Sequence, residues 1–170
     1  SFINSQQKLS LIIFNDIIVF NNSIGDITAV NIFDGNLIWQ TPTQSSAIYE
    51  NAFFLKTSEI IENNKSVLFS NNKNEFFSIN IQNGMINWKQ KINSNLRPTA
   101  TDKFIFTVTL ECYFVVLNSK TGKIIRINNI FYNFKKKKRS KIKPVGFIIG
   151  TNNAYVSTNN GKLIIVDITS

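Results

Sequence analysis

The residues able to do chemistry are few and scattered. The chain of 170 residues contains no histidine, which removes histidine general acid/base catalysis, histidine triads and imidazole-ligated metals. Its single cysteine, Cys112, has no second thiol for an internal disulfide or a cysteine-pair metal site, and no histidine to activate it. It reads as a small buried hydrophobe at the start of a strand. The carboxylates Asp16, Asp26, Asp34, Asp102 and Asp167 fall mostly at strand ends and turns, where a short acidic side chain bonds the backbone two residues on. No catalytic residue, cofactor or metal site is assigned on this reading.

Positive charge is the sharpest local feature. Nineteen Lys and Arg face ten Asp and Glu, for a net charge of +9. Seven of the cations are Lys135, Lys136, Lys137, Lys138, Arg139, Lys141 and Lys143, which leaves +2 on the remainder. A block of like charges repels itself and commonly forms a solvated loop. The function it suits is contact with anionic lipid head groups or an acidic partner surface. Nucleic-acid binding is not expected, because useful affinity comes from cations spread along one surface with interleaved aromatics, and here Phe131, Tyr132 and Phe134 precede one cluster only. No run of about 18 apolar residues occurs, so no transmembrane helix is expected.

The elements that would position these residues are almost all strands. Short β-branched and aromatic runs alternate with Asn, Asp, Ser and Gly clusters at a spacing of about 8 to 12 residues. Strands are predicted over Leu11–Phe14, Ile17–Phe20, Ile27–Ile32, Leu37–Gln40, Ala52–Lys56, Val67–Ser70, Phe76–Ile81, Ile86–Gln90, Phe104–Thr109, Tyr113–Asn118, Ile124–Ile127, Gly146–Gly150, Ala154–Ser157 and Leu163–Asp167. Over Ser58–Asn63, Glu59 and Glu62 share the spacing of one helical turn.

These strands belong to a repeat. Four segments align without gaps on Asn31, Asn80, Asn118 and Asp167, which stand 49, 38 and 49 residues apart. Gly35, Gly84 and Gly122 follow four residues after the first three anchors and supply the positive φ of a tight hairpin. Trp39 and Trp88 occupy equivalent places on the next, outermost strand, where a large ring can wedge against a neighbouring sheet; Arg126 stands there in the third repeat, so that contact should differ. A period near 40 to 50 residues with about four short strands per unit predicts an all-β propeller of four-stranded antiparallel blades. The expected division is a partial blade over 8–41, blades over 47–92 and 96–131, and a truncated blade over 144–170. The basic segment 134–144 lies between blades, on the same face as the loops at Asn21–Ser23, Asn71–Lys73 and Asn159–Asn160. The chain is thus expected to be an arc of a seven- or eight-bladed ring, with exposed edges that favour aggregation in isolation.

The pattern of an anchor Asn or Asp, a Gly four residues on, and an apolar strand ending in Trp resembles the repeat of PQQ-type β-propellers, best in Ala29–Trp39 and Ser78–Trp88. That group includes quinoprotein dehydrogenases and the outer-membrane assembly factor BamB. The resemblance to the latter implies a non-enzymatic scaffold at the periplasmic face of the outer membrane, with β-barrel assembly machinery as protein partner. The former implies PQQ, Ca²⁺ and a catalytic Asp, commonly beside a disulfide that this sequence cannot form. A third reading, a generic protein-binding propeller in some other pathway, implies the same fold; the BamB-like scaffold is preferred over the dehydrogenase because histidine and a cysteine pair are both missing.

Overall fold

A computed structural model describes residues 10–22, 25–43, 56–132, 134 and 141–168. Among these residues every regular element is a strand. The strands are β1 (Leu11–Phe14), β2 (Ile17–Asn21), β3 (Ile27–Asn31), β4 (Leu37–Thr41), β5 (Ile61–Asn63), β6 (Ser66–Asn71), β7 (Glu75–Asn80), β8 (Ile86–Gln90), β9 (Thr99–Ala100), β10 (Phe104–Val108), β11 (Tyr113–Asn118), β12 (Ile124–Asn129), β13 (Pro144–Ile149), β14 (Asn153–Thr158) and β15 (Leu163–Asp167). They form four antiparallel sheets in which sequence neighbours are always hydrogen-bonded neighbours: β1-β2-β3-β4, β5-β6-β7-β8, β9-β10-β11-β12 and β13-β14-β15. This is the blade arrangement of a β-propeller. The first sheet, expected to be partial, has all four strands.

Two expectations change. The helical turn over Ser58–Asn63 is absent: Ile61–Asn63 is β5, paired with β6 through Ile61↔Leu68 and Asn63↔Ser66. Asn64 and Lys65 both take positive φ, 50° and 61°, so a two-residue turn of the hairpin type joins the strands. Glu62 belongs to that turn, its carboxylate accepting the Lys65 N–H at 2.9 Å. The short β9, which no apolar run announces, pairs with β10. Of the predicted strand Ala52–Lys56, all but Lys56 lies outside the described residues.

The cores lie between sheets. Val19, Ile27, Ala29 and Trp39 of the first sheet pack with Val67, Phe69, Phe77 and Ile79 of the second. The other face of the second sheet, Leu68 and Phe76, packs with Ile105, Val115 and Leu117 of the third. Phe106, Phe114 and Val116 then meet Ala154, Val156 and Val166 of the fourth. A sheet covered on both faces needs near-continuous apolar strands, and β6 and β7 are accordingly buried almost end to end. One backbone bond recurs in every sheet and shows the repeat at atomic level. The residue after each anchor, Ile32, Ile81, Ser119 and Ile168, donates its N–H to the first turn of its own sheet, at Asp16, Lys65, Lys103 and Asn152, over 2.9, 3.0, 3.0 and 3.0 Å.

Candidate functional site

Three anchors build the same turn. The Oδ1 atoms of Asn31, Asn80 and Asn118 accept the N–H of the residue two places on, Phe33, Gln82 and Lys120, at 2.8, 2.9 and 3.0 Å. Gly35, Gly84 and Gly122 each donate N–H to the anchor carbonyl at 2.9 Å and adopt φ of 70°, 74° and 68°. Such φ values are open to glycine and strained for other residues. On the following strand a β-bulge precedes each register pair Ala29↔Trp39, Ser78↔Trp88 and Val116↔Arg126. A bulge bends and twists its strand, which aims the next side chain at the neighbouring sheet.

Those side chains lock one blade to the next. Trp39 donates its indole N–H to the Ile81 carbonyl of the second sheet at 3.0 Å, and the Thr41 hydroxyl donates to the Gly84 carbonyl at 2.6 Å. Trp88 repeats the contact with the Ser119 carbonyl of the third sheet at 3.2 Å. In both joints the ring lies directly on the turn glycine. A Cβ on Gly84 would sit 2.7 Å from the Trp39 ring, and one on Gly122 would overlap the Trp88 ring. Each glycine therefore serves twice, for its φ and for its missing side chain. The second role links residues 45 and 34 positions apart, and only the recurrence of Trp and Gly at matched repeat positions hints at it in the sequence.

Arg126 occupies the tryptophan place in the third sheet but makes no equivalent bond, and its Nη1 is buried without a hydrogen-bond partner. Asp167, the counterpart of the anchor Asn118 in the fourth sheet, ends β15. The third core also holds Cys112, buried at φ 68°, with its Sγ 3.7 Å from the Ile142 carbonyl. Burial pushes the thiol pKa up, and the Glu111 carboxylate adds to the shift.

Lys135, Lys136, Lys137, Lys138 and Arg139 lie outside the described residues, whereas Lys141 and Lys143 are described and exposed. The exit of the basic segment is fastened to the turn after β14. Lys143 donates N–H to Asn159 Oδ1, and Asn159 donates N–H to the Lys143 carbonyl, both at 2.9 Å. Lys56 and Asn72 make the same clamp in the second sheet. A hollow of about 240 Å³ at this point is lined by Glu111, Cys112, Asn129, Phe131, Ile142 and Lys143. The carboxylates singled out in the sequence stay apart: Asp34 Oδ1 accepts the Asn36 N–H within its own turn at 3.0 Å, and Asp26 Oδ1 accepts the Thr43 N–H at 3.4 Å. Among the described residues no three His, Cys, Asp or Glu side chains gather in a metal-binding group.

Successive four-stranded sheets, joined through indole and glycine, define a β-propeller of PQQ-type repeats. Residues 4–128 match the family described as outer membrane protein assembly factor BamB, and the chain belongs to that family. No curated protein matches it significantly. Among solved structures, BamB from Moraxella catarrhalis superposes with a TM-score of 0.70 at 14% identity, over 96% of this chain and 46% of that one. The computationally designed Ika4 protein gives 0.68 at 12% identity, over 99% of this chain and 96% of its own. Quinohemoprotein alcohol dehydrogenase from Comamonas testosteroni gives 0.67 at 13% identity, over 94% and 30%. At these identities the structures share a fold, and the chain spans less than half the length of the Moraxella protein.

Proposed function

We propose that the chain is part of a non-enzymatic propeller scaffold that assists the assembly of outer-membrane β-barrel proteins through protein–protein contacts, at the periplasmic face of the outer membrane. Membership of the BamB family over residues 4–128 carries this reading. Asp34 is engaged within its own turn, Asp26 accepts a bond from Thr43, and Cys112 is buried, which is in keeping with a scaffold. Among the described residues no helix is long and apolar enough to cross a membrane. The basic run 135–143 supplies the contact: seven cations with no acid among them meet an acidic partner surface or anionic lipid.

The test is affinity isolation of the intact protein from its native envelope. β-barrel assembly components are expected to co-purify. Replacing Lys135, Lys136, Lys137, Lys138 and Arg139 by Ser is expected to weaken binding to that partner or to anionic vesicles at low salt. Saturable binding of PQQ with Ca²⁺, together with dye-linked alcohol oxidation, would overturn the scaffold reading in favour of a quinoprotein.

A further inference from the structure

Two asparagine–glycine pairs stand in turns, Asn83-Gly84 between β7 and β8 and Asn160-Gly161 between β14 and β15. Such a pair is open to attack from within, because glycine has no side chain to shield its backbone nitrogen. That nitrogen can close on the asparagine Cγ to form a five-membered imide, while the side-chain amide nitrogen leaves as ammonia with the proton of the glycine N–H. Water then opens the imide at one carbonyl or the other, leaving aspartate or isoaspartate. Both asparagines are exposed, and both glycine N–H groups are bonded, Gly84 to the Asn80 carbonyl at 2.9 Å and Gly161 to the Thr158 carbonyl at 3.0 Å. Attack requires that bond to break and the peptide to rotate toward the side chain, so the ease of opening the turn sets the rate.

The two turns differ in this respect. Gly84 is buried; the Trp39 ring lies 2.7 Å from where its Cβ would stand, and its carbonyl accepts the Thr41 hydroxyl at 2.6 Å. Gly161 is exposed, at φ 76°, with nothing within 4 Å of its Cβ position. Sheets with all four strands leave this turn open as well: Lys73 and Glu111, the counterparts of Asn160 in the second and third sheets, are both exposed. The Thr158 hydroxyl has two acceptors, Asn160 Oδ1 at 2.7 Å and the Lys162 carbonyl at 2.9 Å, and the amide oxygen is the nearer. Donation there draws electron density from Cγ and favours attack on it.

The same turn holds both ends of the basic segment. Asn159 clamps Lys143 after it, and the Lys162 ammonium stands 5.4 Å from the ring centroid of Phe134 before it. Asn160 lies between those two fastenings.

We propose that Asn160 is a site of spontaneous deamidation, and that the tryptophan of the preceding sheet keeps Asn83 intact. The reaction replaces a neutral amide by a carboxylate two residues from Lys162 and lowers the net charge of +9 by one. Isoaspartate also adds a methylene to the backbone of the turn, beside the Asn159 clamp. The modification therefore acts on the anchorage of the basic segment.

Peptide mapping by mass spectrometry of the full chain, incubated folded and, in parallel, unfolded in urea at one mildly alkaline pH, tests this. Conversion reads as a gain of about 1 Da, with isoaspartate told apart by fragmentation. In urea both asparagines are expected to react at similar rates. In the folded protein Asn160 is expected to react faster than Asn83 by roughly tenfold or more. Trp39→Phe, which thins the cover on Gly84, is expected to speed Asn83 and leave Asn160 unchanged. Should that variant fail to fold, the folded-to-urea comparison on the unaltered protein decides alone. Asn83 converting as fast as Asn160 in the folded protein, or Asn160 staying intact there while it converts in urea, overturns the proposal.

Discussion

The first two blade joints and the third use the same backbone with different side chains. At the first, an indole that is 8% exposed fills the space above a bare glycine and finds a carbonyl for its N–H. At the third, a guanidinium stands at the same register position, after the same bulge, with one buried nitrogen unsatisfied. The scaffold does not need tryptophan in order to place one sheet beside the next. The apolar face does that, as Phe106, Phe114 and Val156 show in the third core. What the tryptophan adds is a single orientation, because a planar donor between a glycine and a carbonyl fits in one way only.

The largest effect should come from emptying a good joint. Trp39→Ala is expected to lower stability by about 3–5 kcal/mol, since a buried large aromatic is lost and the Ile81 carbonyl loses its donor. Urea unfolding of the protein and the variant measures it; a change below about 1 kcal/mol would mean that the joint carries no weight.

Next come the glycines, which separate backbone strain from lost space. All three share the same φ, so alanine at each costs about 1–2 kcal/mol for the left-handed conformation. At Gly84 and Gly122 the added methyl also drives into the indole, which adds roughly 1–3 kcal/mol of overpacking. Gly35→Ala should therefore be the mildest of the three by unfolding midpoint. Equal losses at Gly35 and Gly84 would show that the ring yields freely.

How far this could be seen in the sequence depends on the range of the interaction involved. The anchors, the glycines and the strands follow from local chemistry, since a hairpin turn is closed by residues within five positions of each other. Ile61–Asn63 was hidden for a local reason: its turn uses Asn64 and Lys65 at positive φ and lacks the glycine that marks the other hairpins. The two-residue β9 is shorter than any periodicity can register. The fit of Trp39 on Gly84 was hidden because it is a tertiary contact. A sequence shows that both residues recur, but not that one lies on the other. The bulges escaped for the same reason, as they exist only against a partner strand.

A smaller change should improve the weak joint. Arg126→Met keeps the length and removes the buried, unpaired nitrogen, so stability is expected to rise by about 1 kcal/mol, within the 1–3 kcal/mol that such a group costs. A loss in urea unfolding would mean that the guanidinium is satisfied in solution, and the contrast between joints would then be one of geometry alone.

The smallest effect is a pH dependence that also belongs to the third core. Cys112 is buried beside Glu111, and both features raise its thiol pKa in the folded state. In the unfolded chain the thiol ionises near its ordinary value, about 8.5. Above that pH the unfolded state binds fewer protons than the folded one, so stability falls as pH rises, and below it the two states are equally protonated and the contribution vanishes. Cys112→Ala, although it leaves a small void, should unfold with a shallower decline between neutral and alkaline pH than the unaltered protein. Parallel declines would show that the thiol titrates alike in both states, and hence that water reaches the third core as it does not reach the two cores closed by tryptophan.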